Sequence, residues 1–213
     1  MYQDKDEAYY NHNRPELLKF VPGGIKNALD IGCGTGNFGQ LLKSKFDVNV
    51  WGIEPDPKSA AIAGSKLDKV ITSVFNEDSL KSIDQKFDVI FFNDVLEHLA
   101  TPEEALLLAG ALLNKGGHIV ASIPNMRWYP VLLSLLRYKD FKYLNAGVMD
   151  KTHLRFFTQK SMIRLFVDSG YKISRIEGIN KSENFRFFNI INTLLFNTQQ
   201  DMKYPQFAIV AQK

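Results

Sequence analysis

An acid followed by glycines at alternate positions, Asp30-Ile31-Gly32-Cys33-Gly34-Thr35-Gly36, is where chemistry is most directly legible in this chain. Such glycines let the backbone turn tightly and approach a ligand with no Cβ in the way. A pyrophosphate fingerprint needs a third glycine after two spacers, where Asn37 stands, and Asp30 at the strand end would repel an anion. The loop instead suits a ligand that carries an ammonium group. About twenty residues later, a spacing familiar from nucleotide-binding sheets, the apolar run Val48 to Ile53 closes on Glu54. An ionised carboxylate only accepts hydrogen bonds, so an acid there can take both hydroxyls of a ribose.

A second constellation follows the buried-strand pattern Phe87 to Phe92, where Asn93-Asp94-Val95-Leu96-Glu97-His98 should open onto the same crevice as Asp30 and Glu54. Three readings of it stay open. Val95, Leu96 and Leu99 pack while the polar groups satisfy a turn; His98 or Glu97 faces an acceptor as a general base; or Asp94, Glu97 and His98 share a divalent ion. No resident metal is expected, and that trio is the one set weighed for an ion.

The elements that must position these groups alternate short apolar runs with helical patterns, which argues for parallel strands joined by crossover helices. Strands are expected near 26–31, 48–53, 69–74, 87–93 and 117–123, with helices at 37–45, 57–67 and 103–114. Thr101 and Pro102 suit the start of the last helix, and Asn114-Lys115-Gly116-Gly117 suits its end. Beyond Pro124 the pattern predicts an apolar helix or lid from Met126 to Tyr143, an extended piece at Leu154–Phe157 and a helix from Gln159 to Ser169. A strand at Tyr171–Ile179, the apolar segment Phe185 to Phe196 and a strand at Gln206–Ala211 follow.

At 213 residues the chain suits one domain, and a net charge of +3 is too weak to argue for a nucleic-acid partner. Nor does the chain carry an Asn-Pro-Pro-aromatic tetrapeptide. The polar, acidic opening Met1 to Glu7 does not read as a signal peptide, and no apolar stretch is long enough to span a bilayer, so a cytoplasmic protein is expected. Cys33 is the only cysteine, which excludes an internal disulfide and a cysteine-based metal cage. Its expected role is to be small in a crowded turn.

The segments Leu29 to Gly36, Ile53-Glu54, Asp94 to Leu99, Leu113 to Gly117, Ser122-Ile123-Pro124-Asn125 and Thr152-His153-Leu154-Arg155-Phe156-Phe157-Thr158 occur in order. Together they resemble a class I S-adenosylmethionine-dependent methyltransferase of the methyltransferase-23 type, over about Tyr10 to Tyr171. The resemblance implies an α/β, Rossmann-like, seven-stranded and mostly parallel sheet with helices on both faces and one antiparallel late strand. It implies a single domain over 1–213, with lid elements on the acceptor side near 126–157 and 182–200.

The implied cofactor is S-adenosylmethionine, leaving as S-adenosylhomocysteine. Its methionine part would lie across Asp30, Gly32, Cys33, Gly34, Thr35 and Gly36, its ribose against Glu54 and Pro55, with Asn93, Asp94 and Val95 lining the same site. Tyr10 matches a cofactor-lid tyrosine, and Arg14 an arginine near the methionine carboxylate, a planar bidentate contact that suits a guanidinium. Many relatives place an acid just after the third strand; here Ser73-Val74-Phe75-Asn76 stands there. Adenine recognition then falls to Asn76, Asp78 or backbone, with Phe75 available to stack. The chain is also similar to ubiquinone-pathway O-methyltransferases, which carry an acid shortly before a Glu-His pair, matched by Asp94, and among which metal dependence is known.

Acceptor pockets in the resembled class follow the fifth strand. This makes His153, then His98, the expected proton acceptors for a hydroxyl, with Asn125 and Arg155 expected to hold the acceptor. Arg137, Lys139, Lys142, Lys151, Arg155 and Lys160 outnumber Asp140 and Asp150 in the region, and leucines and aromatics lie among them. This favours a small-molecule, sugar or lipid-linked acceptor bearing phosphate, with weak membrane-surface contact and no nucleic acid. The rival reading is a non-catalytic S-adenosylmethionine-binding protein that acts through association.

Overall fold

A computed structural model describes residues 13–181 and 186–213, apart from the side chains of residues 186, 187 and 191. Tyr10 and the start of the 182–200 lid lie outside the described residues. Seven strands, β1 (Asn27–Ile31), β2 (Asn49–Ile53), β3 (Lys69–Ile71), β4 (Phe87–Asn93), β5 (Leu113–Pro124), β6 (Lys172–Ile179) and β7 (Gln206–Gln212), form one sheet in the order β3-β2-β1-β4-β5-β7-β6. The first five run parallel, and β7 is antiparallel to both of its neighbours. The expected architecture, with its single reversed strand, is therefore the observed one.

Alternation along the strands makes two cores. Ile90 and Phe92 of β4, with Ile119, Ala121 and Ile123 of β5, pack against Leu106 and Ala109 of α4 (Pro102–Leu112) and Met162, Leu165 and Phe166 of α6 (Gln159–Asp168). Val89 and Phe91, with Val120, face the other way onto Phe38 and Leu42 of α1 (Asn37–Lys45) and onto Leu17 and Phe20 of a 3-10 turn at Pro15–Phe20. Each of the larger side chains, fully buried, contributes about 1.5–3 kcal/mol, and the two layers hold the strand ends in fixed register.

Local capping sets where the helices begin. Asp56 accepts from the Ser59 N–H at the start of α2 (Pro57–Ala63), and Thr158 and Ser161 form a reciprocal capping box at α6. Thr101 occupies the N-cap position of α4, but its hydroxyl donates to the Glu104 carboxylate at 2.7 Å rather than capping a backbone N–H. Two elements depart from expectation. Leu113 to Gly117 continues into β5, because Leu113 pairs with Phe87 across an irregular register. A four-residue helix, α3 (Glu77–Leu80), follows the short β3. The chain after β5 forms α5 (Tyr129–Tyr138), and α7 (Arg186–Leu194) precedes β7. No helix among the described residues is long and apolar enough to cross a membrane.

Candidate active site

The C-terminal ends of β1, β2 and β4 bring the first constellation together. Gly32, Gly34 and Gly36 all have φ between 54° and 76°, the left-handed region that glycine enters without strain. A Cβ on Gly32 would lie 2.7 Å from Val95 Cγ2, so the loop after β1 and the loop after β4 touch where only a hydrogen fits. Cys33 fills a similar gap: a Cβ on Gly52 of β2 would lie 2.5 Å from its Sγ, in keeping with a steric role. Gly32 and Cys33 donate to the Ile53 carbonyl at 2.8 and 3.1 Å, which ties the glycine loop to β2.

Asp30 is 2% exposed, and Asn93 Nδ2 reaches its Oδ1 at 3.4 Å. Burial, with the charge of Glu54 second, pushes its carboxyl up to about 8. Glu54 accepts from the Gly34 N–H at 2.8 Å and the Asp56 N–H at 2.9 Å, and burial raises its pKa as well. Among the described residues, the two buried acids beside the glycine cradle have no ion-pair partner, and Asn93 Oδ1 is buried with no hydrogen-bond partner. These are acceptor oxygens that the donors of an ammonium and a ribose would satisfy. Pro55 lies exposed beside Glu54, and Thr35 and Gly36 are buried. Phe75 packs edge-on against Phe92, with centroids 6.1 Å apart. Asn76, an expected adenine contact, caps α3, and Asp78 forms an exposed ion pair with Lys81.

Arg14 stands by β4 and β5. Its guanidinium meets Asp94 at 2.8 Å, Ser122 Oγ at 2.8 Å and Gln206 Oε1 at 3.4 Å. Asp94 also accepts from Gln206 Nε2 at 2.8 Å and from Ser122 Oγ at 3.1 Å. Gln206 and Ser122 were not legible as site residues, since their meeting depends on the β5–β7 register.

The second constellation is assembled from residues distant in sequence. The Glu97 carbonyl accepts the N–H groups of Leu154 and Arg155 at 2.8 and 3.0 Å, stitching the turn after β4 to the 150–155 segment. His98 Nδ1 lies 3.1 Å from the Thr152 carbonyl, and His153 Nδ1 3.1 Å from the Val148 carbonyl. The two rings meet edge-on with centroids 4.8 Å apart, and His153 Nε2 lies 4.0 Å from Glu97 Oε1. Burial, then His98, lowers the His153 pKa, while burial, then the charge of Asp94, raises that of Glu97. Burial thus favours the neutral form of the His153 imidazole.

Two expected acceptor contacts fare differently from this. Asn125 is fully buried; its amide donates to the Asp201 and Tyr204 carbonyls at 2.9 Å, and its Oδ1 accepts from the Arg127 N–H at 3.1 Å. Both amide hydrogens and one lone pair of Oδ1 are engaged by the scaffold, a structural role beside the acceptor contact expected from sequence. Arg155 is exposed and its guanidinium donates to the Ala100 carbonyl.

A model described as a methyltransferase domain matches residues 2–176. The chain belongs to the methyltransferase-23 family. Its reaction class is S-adenosylmethionine-dependent methyl transfer, and the Asp30–Glu54 cradle is suited to that cofactor. Among curated relatives, a ubiquinone biosynthesis O-methyltransferase of Vibrio atlanticus is 24% identical over 187 residues, covering 84% of this chain and 74% of the relative. One from Bradyrhizobium diazoefficiens is 26% identical, covering 74% of this chain and 62% of the relative. A crystal structure of a SAM-dependent methyltransferase from Archaeoglobus fulgidus superposes with a TM-score of 0.71 at 21% identity, covering 97% of each chain.

Proposed function

We propose that this enzyme methylates an oxygen atom of an acceptor that enters beside Glu97, His98 and His153. The carrying observation is a buried imidazole whose Nδ1 faces a carbonyl while Nε2 faces Glu97, on a segment stitched to the loop that borders Gly32. The names of the O-methyltransferase relatives support the same choice of atom.

S-adenosylmethionine supplies an already activated methyl group. The chain's own work is to bind, align and exclude water, and alignment accounts for most of the rate. Asp30 holds the ammonium and Glu54 the ribose hydroxyls. The Glu97–His98–His153 group handles the acceptor's hydroxyl proton, a contribution of about 10²–10⁴.

The acceptor we propose is phosphate-bearing and either sugar-like or lipid-linked. Leu133, Leu136, Phe141, Tyr143 and Leu144 are exposed on and after α5, as are Ile190, Leu194 and Phe196 on and after α7, and the cations from Arg137 to Lys160 lie among the first set in sequence. These features support a mouth that meets apolar chains and anionic groups together, with weak contact to an anionic membrane surface.

Single-turnover transfer to a panel of phenolic and sugar hydroxyls, with phosphorylated and lipid-linked forms, tests the proposal. His153→Ala should keep cofactor affinity within about twofold while transfer falls by about 10²–10⁴. Unaltered turnover of the variant rejects the role of His153. Failure of every hydroxyl acceptor, with the cofactor still bound, favours a protein that acts through association.

A further inference from the structure

We infer that Lys66 is a positioning residue for the cofactor, forming with Asn37 a clasp that fixes the last peptide of the glycine loop. That role rests on the reading that this loop receives the cofactor. Lys66 is half-buried in the turn after α2, and its ammonium donates to the Thr35 carbonyl at 2.7 Å and to Asn37 Oδ1 at 2.5 Å. An ammonium has three donors and no acceptor, so one lysine can hold a backbone carbonyl and a side-chain amide oxygen together.

The peptide joining Thr35 to Gly36 is thereby held at both ends. Its N–H donates to the Cys33 carbonyl at 2.9 Å, while its carbonyl faces Lys66. Rotating that peptide would break both bonds and displace Gly36 from its φ of 76°. The earlier peptides of the loop are held from the β2 side, Gly32 and Cys33 by the Ile53 carbonyl and Gly34 by the Glu54 carboxylate. The clasp secures the other end, where the loop passes into α1.

The turn that carries Lys66 is itself firmly seated. The N–H groups of Lys66 and Leu67 both donate to the Ala63 carbonyl at 2.9 Å. A Cβ on Gly36 would lie 3.0 Å from Ala63 Cα and 3.3 Å from Leu67 Cγ, so the loop and this turn meet with room for little more than hydrogen. A cation at the amino end of a helix opposes the helix dipole, and the first turn of α1 has no acidic residue to offset it. Helix stability therefore does not account for an ammonium there, whereas fixing a loop carbonyl does. Asn37 stands where a pyrophosphate-binding loop would carry its third glycine, and here its side chain supplies the second arm of the clasp. A loop ordered in advance loses less conformational freedom when the cofactor arrives.

S-adenosylhomocysteine is titrated by calorimetry into the full chain and its variants. Lys66→Met keeps the apolar stem without the donors and should raise Kd about tenfold. Lys66→Arg restores a charged donor and should stay within about threefold of wild type. Asn37→Ala should cost about threefold, with no further loss when it is added to Lys66→Met, because it acts through that lysine. Lys43→Met, which removes an α1 lysine paired with Asp68 at 2.8 Å, should stay within about twofold and so controls for the loss of charge alone. In the cofactor-free chain, amide hydrogen exchange over residues 32–38 should be at least about fivefold faster in Lys66→Met, with exchange elsewhere unchanged. The positioning role is overturned if folded Lys66→Met binds S-adenosylhomocysteine as wild type does, if Lys66→Arg is as weak as Lys66→Met, or if exchange over 32–38 does not change. No binding by wild type would overturn the cofactor reading and the positioning role with it, while exchange would still show whether the clasp orders the loop. If Lys66→Met misfolds, Asn37→Ala decides by the same two measurements.

Discussion

Replacing Asp30 by Asn tests whether the cofactor cradle is held in an electrostatically uncomfortable state. With its pKa pushed up to about 8 in the fold and about 3.9 in the unfolded chain, Asp30 binds a proton in the native state that the unfolded state has already released. Stability attributable to Asp30 is therefore greatest below the unfolded pKa and falls as pH rises, by about 1.4 kcal/mol per unit, until the folded pKa is reached. Between pH 5 and pH 8 the loss integrates to about 3.5 kcal/mol. Asn carries no charge and retains an oxygen for Asn93 Nδ2, so Asp30→Asn should lack this slope. Urea unfolding of cofactor-free wild type and variant across that pH range should show the gap widening by a few kcal/mol in favour of the variant. Calorimetry at pH 7 in buffers of different ionisation enthalpy should show about one proton released per S-adenosylmethionine bound by wild type, because the incoming ammonium needs the ionised carboxylate. The variant should bind the cofactor much more weakly. Parallel pH–stability curves for the two proteins would refute the argument.

Glu54→Ala removes the acceptor that holds the Gly34 N–H and that we assign to the ribose; calorimetry should show cofactor affinity falling by about 10- to 100-fold, equivalent to about 1.4–2.7 kcal/mol. Gly32→Ala places a methyl group 2.7 Å from Val95 Cγ2 at a positive φ, so thermal unfolding should register about 1–3 kcal/mol of destabilisation. The double variant with Val95→Ala should recover part of it, and no recovery would mean that φ alone sets the cost. Asn125→Ala deletes three hydrogen bonds to backbone and should lower stability by about 2–4 kcal/mol. The surviving folded fraction should show an unchanged KM for the acceptor, and a raised KM would restore Asn125 to the acceptor pocket.

The Asp30–Glu54 half of the candidate site was legible because it is local. Asp30, the glycines and Glu54 sit at the ends of neighbouring strands, and a strand end followed by glycine is written in consecutive residues. The half we propose for the acceptor depends on long-range pairing. His153 meets Glu97 only because the 150–155 segment docks on the turn after β4, and Asn125 is committed by carbonyls 76 and 79 residues away. Gln206 reaches Asp94 across 112 residues. No periodicity encodes such meetings. Leu113 to Gly117 carries glycines that signal the end of a helix, yet the ladder to Phe87 draws Leu113 directly into β5. The helix at Glu77–Leu80 is too short to show a period, although its capping pair Asn76 and Ser79 is present in the sequence.

Residues 206–212 slot between two strands made earlier, so the ribosome must release nearly the whole described chain before that gap can close. A nascent product halted short of residue 206 leaves the flank of β5 unzipped and deprives Asp94 of its glutamine neighbour. Closure of the sheet around Asp94 is thus tied to the synthesis of β7, and copies truncated before residue 206 should be recognised by quality control as sticky β edges rather than persist as cofactor-binding fragments.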